Sequence, residues 1–116
     1  MKRLRNPRTG IHQGDVTVFA DFENGGAMWT GSGPRERRKK VRFDETFASP
    51  PAVQLAISLW DMDTSVSIRA ELVAENVTAK GFEIVFRTWA DSRIARLRAS
   101  WTAIGDLPFA DDWDVQ

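Results

Sequence analysis

The 116 residues suffice for one domain and leave little room for a second, and 42% hydrophobic against 28% charged residues is ordinary for a globular chain and too apolar for a disordered one. The sequence has no cysteine, which excludes disulfides, thiolate zinc sites, iron–sulfur clusters and cysteine nucleophiles. Sixteen basic and 16 acidic residues cancel in sum but not in place: Lys2, Arg3, Arg5 and Arg8 open the chain, Arg35, Arg37, Arg38, Lys39, Lys40 and Arg42 meet only Glu36, and Asp106, Asp111, Asp112 and Asp114 close it.

Residues 1–10 read as a flexible basic arm. The basic start runs into Asn6-Pro7-Arg8-Thr9-Gly10 rather than an apolar segment, and no apolar run approaches the roughly 18–20 residues that span a bilayer. The sequence therefore predicts neither a signal peptide nor membrane insertion. Synthesis in the cytoplasm is expected, followed either by release without a signal peptide or by incorporation into a particle. A first strand is expected near Gly14–Ala20 and a second near Lys39–Asp44, separated by turn residues at Asn24-Gly25-Gly26 and Gly31-Ser32-Gly33-Pro34.

After Ser49-Pro50-Pro51, alternation with period two takes over, the pattern of strands with one face in a core. Val53, Leu55, Ile57 and Leu59 oppose Gln54, Ala56, Ser58 and Trp60. Beyond the turn at 61–65, Ile68, Ala70, Leu72 and Ala74 oppose Arg69, Glu71, Val73 and Glu75. Past Ala79-Lys80-Gly81, Phe82, Ile84 and Phe86 oppose Glu83, Val85 and Arg87. Past Ala90-Asp91-Ser92, Ala95, Leu97, Ala99, Trp101 and Ala103 oppose Ile94, Arg96, Arg98, Ser100 and Thr102. Six strands in residues 11–105 close most economically as an all-β antiparallel sandwich, with a small jelly roll as the nearest alternative. Residues 106–116 read as an acidic tail anchored by Phe109 or Trp113.

Catalytic parts are scarce. His12 is the single histidine and lies beside the expected arm, where it could not be held within hydrogen-bond reach of a nucleophile. No nucleophile elbow, dinucleotide fingerprint or phosphate-binding loop is present. Asp61 and Asp63 could suggest a calcium loop or a glycosidase acid pair, but the alternating Asp and Ser fit an Asx-type turn better, because the further oxygen ligands and distal glutamate of a calcium loop are missing. Asn76-Val77-Thr78 matches a glycosylation sequon yet reads as a polar strand end. The basic run Arg35–Arg42 raises nucleic-acid binding, but no aromatic is interleaved before Phe43, so bases have no stacking platform and a nucleic-acid partner is not expected. Neither an enzyme nor a cofactor or metal site follows from these residues.

One string of features stands in a telling order: Val41-Arg42-Phe43, Phe47, Pro50-Pro51-Ala52-Val53, Asp61, Arg69, Asn76-Val77-Thr78, Gly81-Phe82, Thr88-Trp89, Asp91-Ser92 and Ser100-Trp101-Thr102-Ala103-Ile104. On these residues the segment Val41–Gly105 resembles the H-type lectin domain. The resemblance implies a six-stranded antiparallel sandwich that assembles as a homotrimer, sometimes as two trimers back to back in a hexamer. It also implies binding of glycans with galactose or N-acetylgalactosamine between protomers. The matching positions are the loop Gly31–Glu36, with Ser32, Gly33 and Glu36 as contacts, then Arg69 reaching from a neighbouring protomer, and Trp89 with Ala90 and Asp91. Ala90 stands where animal members often carry histidine, and Glu36 or Asp91 would supply the carboxylate that the family's loop usually offers.

A sugar presents an apolar face of C–H groups and a rim of hydroxyls, so an aromatic wall beside planar or carboxylate hydrogen-bonding groups is the fitting complement. Trp89 and Arg69 are of those types. The expected function is a non-catalytic lectin in which three or six weak sites raise avidity by roughly 10²–10⁴. The alternative is a structural or adhesion component of a larger assembly, such as a virus-like particle, that keeps the oligomeric fold without binding sugar.

Overall fold

The structure is a computed structural model and describes residues 1–5 and 7–108. Phe109, Trp113 and the acidic residues Asp111, Asp112 and Asp114 lie outside the described residues. The fold is all-β: strands β1 (Thr9–Ala20), β2 (Arg35–Arg42), β3 (Ala52–Met62), β4 (Ala70–Glu75), β5 (Gly81–Thr88) and β6 (Ile94–Asp106), with one short helix, α1 (Ala27–Thr30). Two three-stranded antiparallel sheets, β1-β6-β3 and β2-β5-β4, form the expected sandwich.

Between the sheets lie Phe82, Ile84 and Phe86 of β5 and Leu97, Ala99, Trp101 and Ala103 of β6, the faces that alternation predicts. Phe43 and Phe47 close one end of this core and Met28 of α1 the other. Burying side chains of this size at roughly 1.5–3 kcal/mol each is what holds the two sheets together. At Gly14 a Cβ would fall 2.7 Å from the Trp101 ring, so glycine there is what lets the indole lie against β1.

The structure corrects several expectations. β1 begins at Thr9, pairing with Asp106, so Thr9 and Gly10 belong to a strand rather than to an arm. His12 is therefore a strand residue, edge-on to Trp101 at 4.9 Å with Nε2 3.2 Å from the Asp44 carboxylate. β2 starts four residues before the expected Lys39: Arg35 turns to backbone carbonyls, Arg37 to Asp21 and Arg38 to glutamates of β2, β4 and β5, so the run is a strand rather than a solvated loop.

Three bulges break the alternation, one of them at Val18 of β1, between Thr17 opposite Arg98 and Phe19 opposite Leu97. Ile57 pairs with Ala99 but Leu59 with Arg98, which leaves Ser58 as the extra residue of β3. Beyond it the face reverses, and Trp60 and Met62 pack on the core while Ile57 is 42% exposed. Asp61 pairs with Arg96 and Met62 with Ile94, so Ala95 is the extra residue of β6 and Ile94 enters the core instead of the outer face.

Candidate functional site

Register sets up the site. Arg35, Thr88 and Ala70 stand abreast on β2, β5 and β4, so the loops at 31–34, 89–93 and 63–69 converge at one end of the sandwich. Gly33 (φ 73°) donates its N–H to the Ala90 carbonyl at 2.8 Å, and Ala90 itself holds φ 60°, a left-handed conformation that few residues with a Cβ adopt.

Arg35 locks these loops together. Its Nε donates to the Gly33 carbonyl (3.0 Å), Nη1 to those of Ala27 (3.1 Å) and Met28 (3.3 Å), and Nη2 to that of Ala90 (3.2 Å). Partial burial among carbonyls lowers its pKa from the ordinary arginine value. The Ser92 hydroxyl, fully buried, accepts from the Arg69 N–H (2.8 Å) and lies within donating reach of the carbonyls of Ser67 (3.2 Å) and Trp89 (3.1 Å). Thr88 Oγ1 donates to the Arg69 carbonyl. The backbones that carry Trp89 and Arg69 are thus fixed to one another.

On this frame Trp89 stands 42% exposed beside an open groove lined by Pro34, Arg35, Glu36, Glu71, Arg87, Thr88 and Trp89. Of the residues expected from the sequence, Gly33, Glu36, Trp89 and Ala90 are brought together, and Ser32 lies in the same loop as Gly33. Asp91 pairs with Arg69 at 3.4 Å, and Arg69 does not line the groove of its own chain. Arg87 beside the groove and the locking roles of Arg35 and Ser92 are what sequence reasoning missed. Arg35 is hidden by its place in a basic run, whereas Asp91-Ser92 after Thr88-Trp89 gave a signal for Ser92.

Glu36 is less free than a sugar acceptor would be. It accepts from Arg38 Nε at 3.0 Å and Arg87 Nε at 2.8 Å, and these bonds, Arg38's first, hold its carboxyl below the usual glutamate range. Arg38 also meets Glu83 (2.7 Å) and Glu75 (3.0 Å), and Arg87 meets Glu75 (2.8 Å) and Glu71 (3.1 Å). This mesh covers the outer face of β2-β5-β4 and seals Val85 beneath it. Glu71 and Glu75 find their partners within the chain.

Next to the groove, Arg93 lies over the Trp29 ring at 4.4 Å, donates to the Trp29 carbonyl at 3.0 Å and pairs with Asp63 at 3.2 Å. Asp63 Oδ1 accepts from the Ser65 N–H (2.8 Å) and hydroxyl (2.6 Å), the Asx-type turn anticipated, and these bonds depress the Asp63 pKa. Asp61 stands apart from it, paired with Arg96 at 3.1 Å.

The family model of the H-type lectin domain matches residues 38–104. The chain belongs to the H-type lectin domain family. It is 51% identical over 107 residues to the protein titled ATP synthase subunits region ORF 7 of Fuscovulum blasticum, covering 92% of this chain and 93% of that one. A discoidin-1 chain of Dictyostelium discoideum is 39% identical over 95 residues, which cover 78% of this chain and 38% of the discoidin. The solved structure of recombinant discoidin II of the same organism superposes with a TM-score of 0.74 at 26% identity, over 86% of this chain and 38% of that one. The lectin domain thus spans well under half the length of the discoidins it matches. Membership makes it a carbohydrate-binding type of domain, and no helix among the described residues is long and apolar enough to cross a membrane.

Proposed function

We propose that this lectin domain binds galactose- or N-acetylgalactosamine-type sugars, without catalysis, at sites completed between protomers of a homotrimer or a hexamer. The observation that carries the reading is Trp89, an exposed indole held on a frame of buried hydrogen bonds beside Glu36, Glu71 and Arg87. Its ring offers the apolar wall for a sugar's C–H face. Arg69 immediately precedes β4, the edge strand of the same sheet, and pairs with Asp91 rather than lining its own groove, a placement that suits donation to a sugar on a neighbouring copy.

The test is glycan-array binding and calorimetry on Trp89→Ala and Arg69→Ala beside sedimentation of each. Loss of the indole removes roughly 1–3 kcal/mol of apolar burial, and loss of charge-assisted bonds from Arg69 about 1.5–3 kcal/mol. Against a single-site affinity near millimolar, about −4 kcal/mol, either change abolishes detectable binding while the assembly persists. Retained binding by the Trp89 variant places the site elsewhere. Dissociation of the Arg69 variant into monomers makes that residue an interface contact, and a wild-type monomer at micromolar concentration contradicts any shared site.

A second reading has one observation in its favour. Glu36 is engaged by two arginines, so the groove's best-placed carboxylate is committed to the protein. A structural or adhesion component of a larger assembly would retain the sandwich and bind no glycan at any valency.

A further inference from the structure

On the opposite sheet, at the same end of the sandwich, a separate hollow is lined by Ala20, Phe22, Glu23, Asp61 and Arg96. We propose that it is a second carbohydrate subsite, contained within one chain, in which the Phe22 ring takes the apolar face of a pyranose and Asp61, Glu23 and Arg96 take its hydroxyls.

The register builds the hollow. Ala20, Arg96 and Asp61 are aligned across β1, β6 and β3, the last row of that sheet before the loops. Ala20 is the small member of the row, so its methyl forms a floor between Phe22, just past the end of β1, and the Arg96–Asp61 pair. Phe22 is 58% exposed, and such an aromatic ring at a sheet end has no role in the core. It is nonetheless held. Its ring meets Trp29 edge-on with centroids 5.1 Å apart, and Trp29 in turn lies under the Arg93 guanidinium that Asp63 pins.

The polar wall suits vicinal hydroxyls. Arg96 Nε already donates to Asp61 Oδ2 at 3.1 Å, which leaves the outer guanidinium nitrogens and the second Asp61 oxygen to face a ligand. Glu23 is exposed and takes no hydrogen bond from the described residues, so its carboxylate is open. An aromatic platform with carboxylate acceptors and a planar donor on one side is the complement of a neutral sugar; an anion would meet two carboxylates, and a purely apolar ligand would strand all three charges. Unlike the Trp89 groove, this hollow needs no residue from a neighbour.

The test is an NMR titration of the ¹⁵N-labelled full chain with methyl β-galactoside, N-acetylgalactosamine and glucose in turn, following backbone amides. At millimolar sugar, saturable shifts are expected at Phe22, Glu23, Asp61 and Arg96. They persist in Trp89→Ala and weaken at least tenfold in Phe22→Ala and in Asp61→Asn. Phe22 and Asp61 both lie outside the core, so these variants fold, and unchanged amide spectra away from the hollow confirm it. Silence of these four amides with all three sugars overturns the proposal, as does binding unchanged by Phe22→Ala. Shifts confined to the hollow sustain it and overturn the Trp89 site instead, whereas shifts confined to 33 and 89–91 do the reverse.

Discussion

Arg35 shows how much a single residue can hold at this end of the molecule. Four carbonyls from three segments converge on one guanidinium, and each would otherwise be left facing a shorter or apolar side chain. Only arginine has enough fixed donors for that geometry; lysine brings a point charge on a flexible stem. Arg35→Met is therefore expected to cost at least about 2 kcal/mol of stability, with Arg35→Lys in between. Its specific signature is local: hydrogen exchange at Gly33 speeds up by more than the fall in global stability explains, because Gly33 N–H is held only through the loop contact with Ala90. Uniform acceleration across β5 and β6 instead would mean that Arg35 merely adds to general stability. None of this was legible in the sequence, where Arg35 is one of several basic residues in a row and nothing marks it as facing inward.

At the scale of the strand, alternation read β5 correctly and β3 only in part. Phe82, Ile84 and Phe86 face the core because β5 is the central strand of its sheet and pairs in unbroken register on both sides. β3 carries a bulge at Ser58, and one extra residue sends every later side chain to the other face. No residue type announces the bulge, since Ser58 is as acceptable in a regular strand. The consequence can be measured. Trp60, packed against Phe86 with centroids 5.9 Å apart, should cost about 3 kcal/mol or more when cut to alanine, whereas Ile57→Ala should stay within about 1 kcal/mol. A strand without the bulge gives the opposite order, so denaturant unfolding of the two variants separates the alternatives. The site divides in the same way. Trp89, Ala90 and the Gly-rich loop were legible as a motif, while the Arg–Glu mesh was not, because its partners come from three strands and touch only after the sheet forms.

For the whole molecule, a net charge of zero conceals a local arrangement: Arg38, in the basic run of β2, meets glutamates of β2, β4 and β5. That arrangement fixes how stability responds to acid. Bonds from Arg38 and Arg87 hold Glu36 and Glu75 below the usual glutamate range; Arg38 and then Asn76 do the same for Glu83. A carboxyl whose folded pKa lies below its unfolded one releases its proton more readily in the native state. Its stabilising contribution is complete above the unfolded value of about 4.3 and is lost as pH falls through the lower folded values. Stability should therefore be level from pH 7 to about 5 with respect to these groups, then decline, and Arg38→Met should flatten the decline because three of the depressed glutamates lose a partner at once. High salt should flatten it as well, since the mesh is open to solvent and the Debye length shrinks to about 3 Å at 1 M. Urea midpoints measured from pH 3 to 7 on both proteins check this. An acid decline of equal steepness with and without Arg38 would show that the mesh does not govern the acid limit.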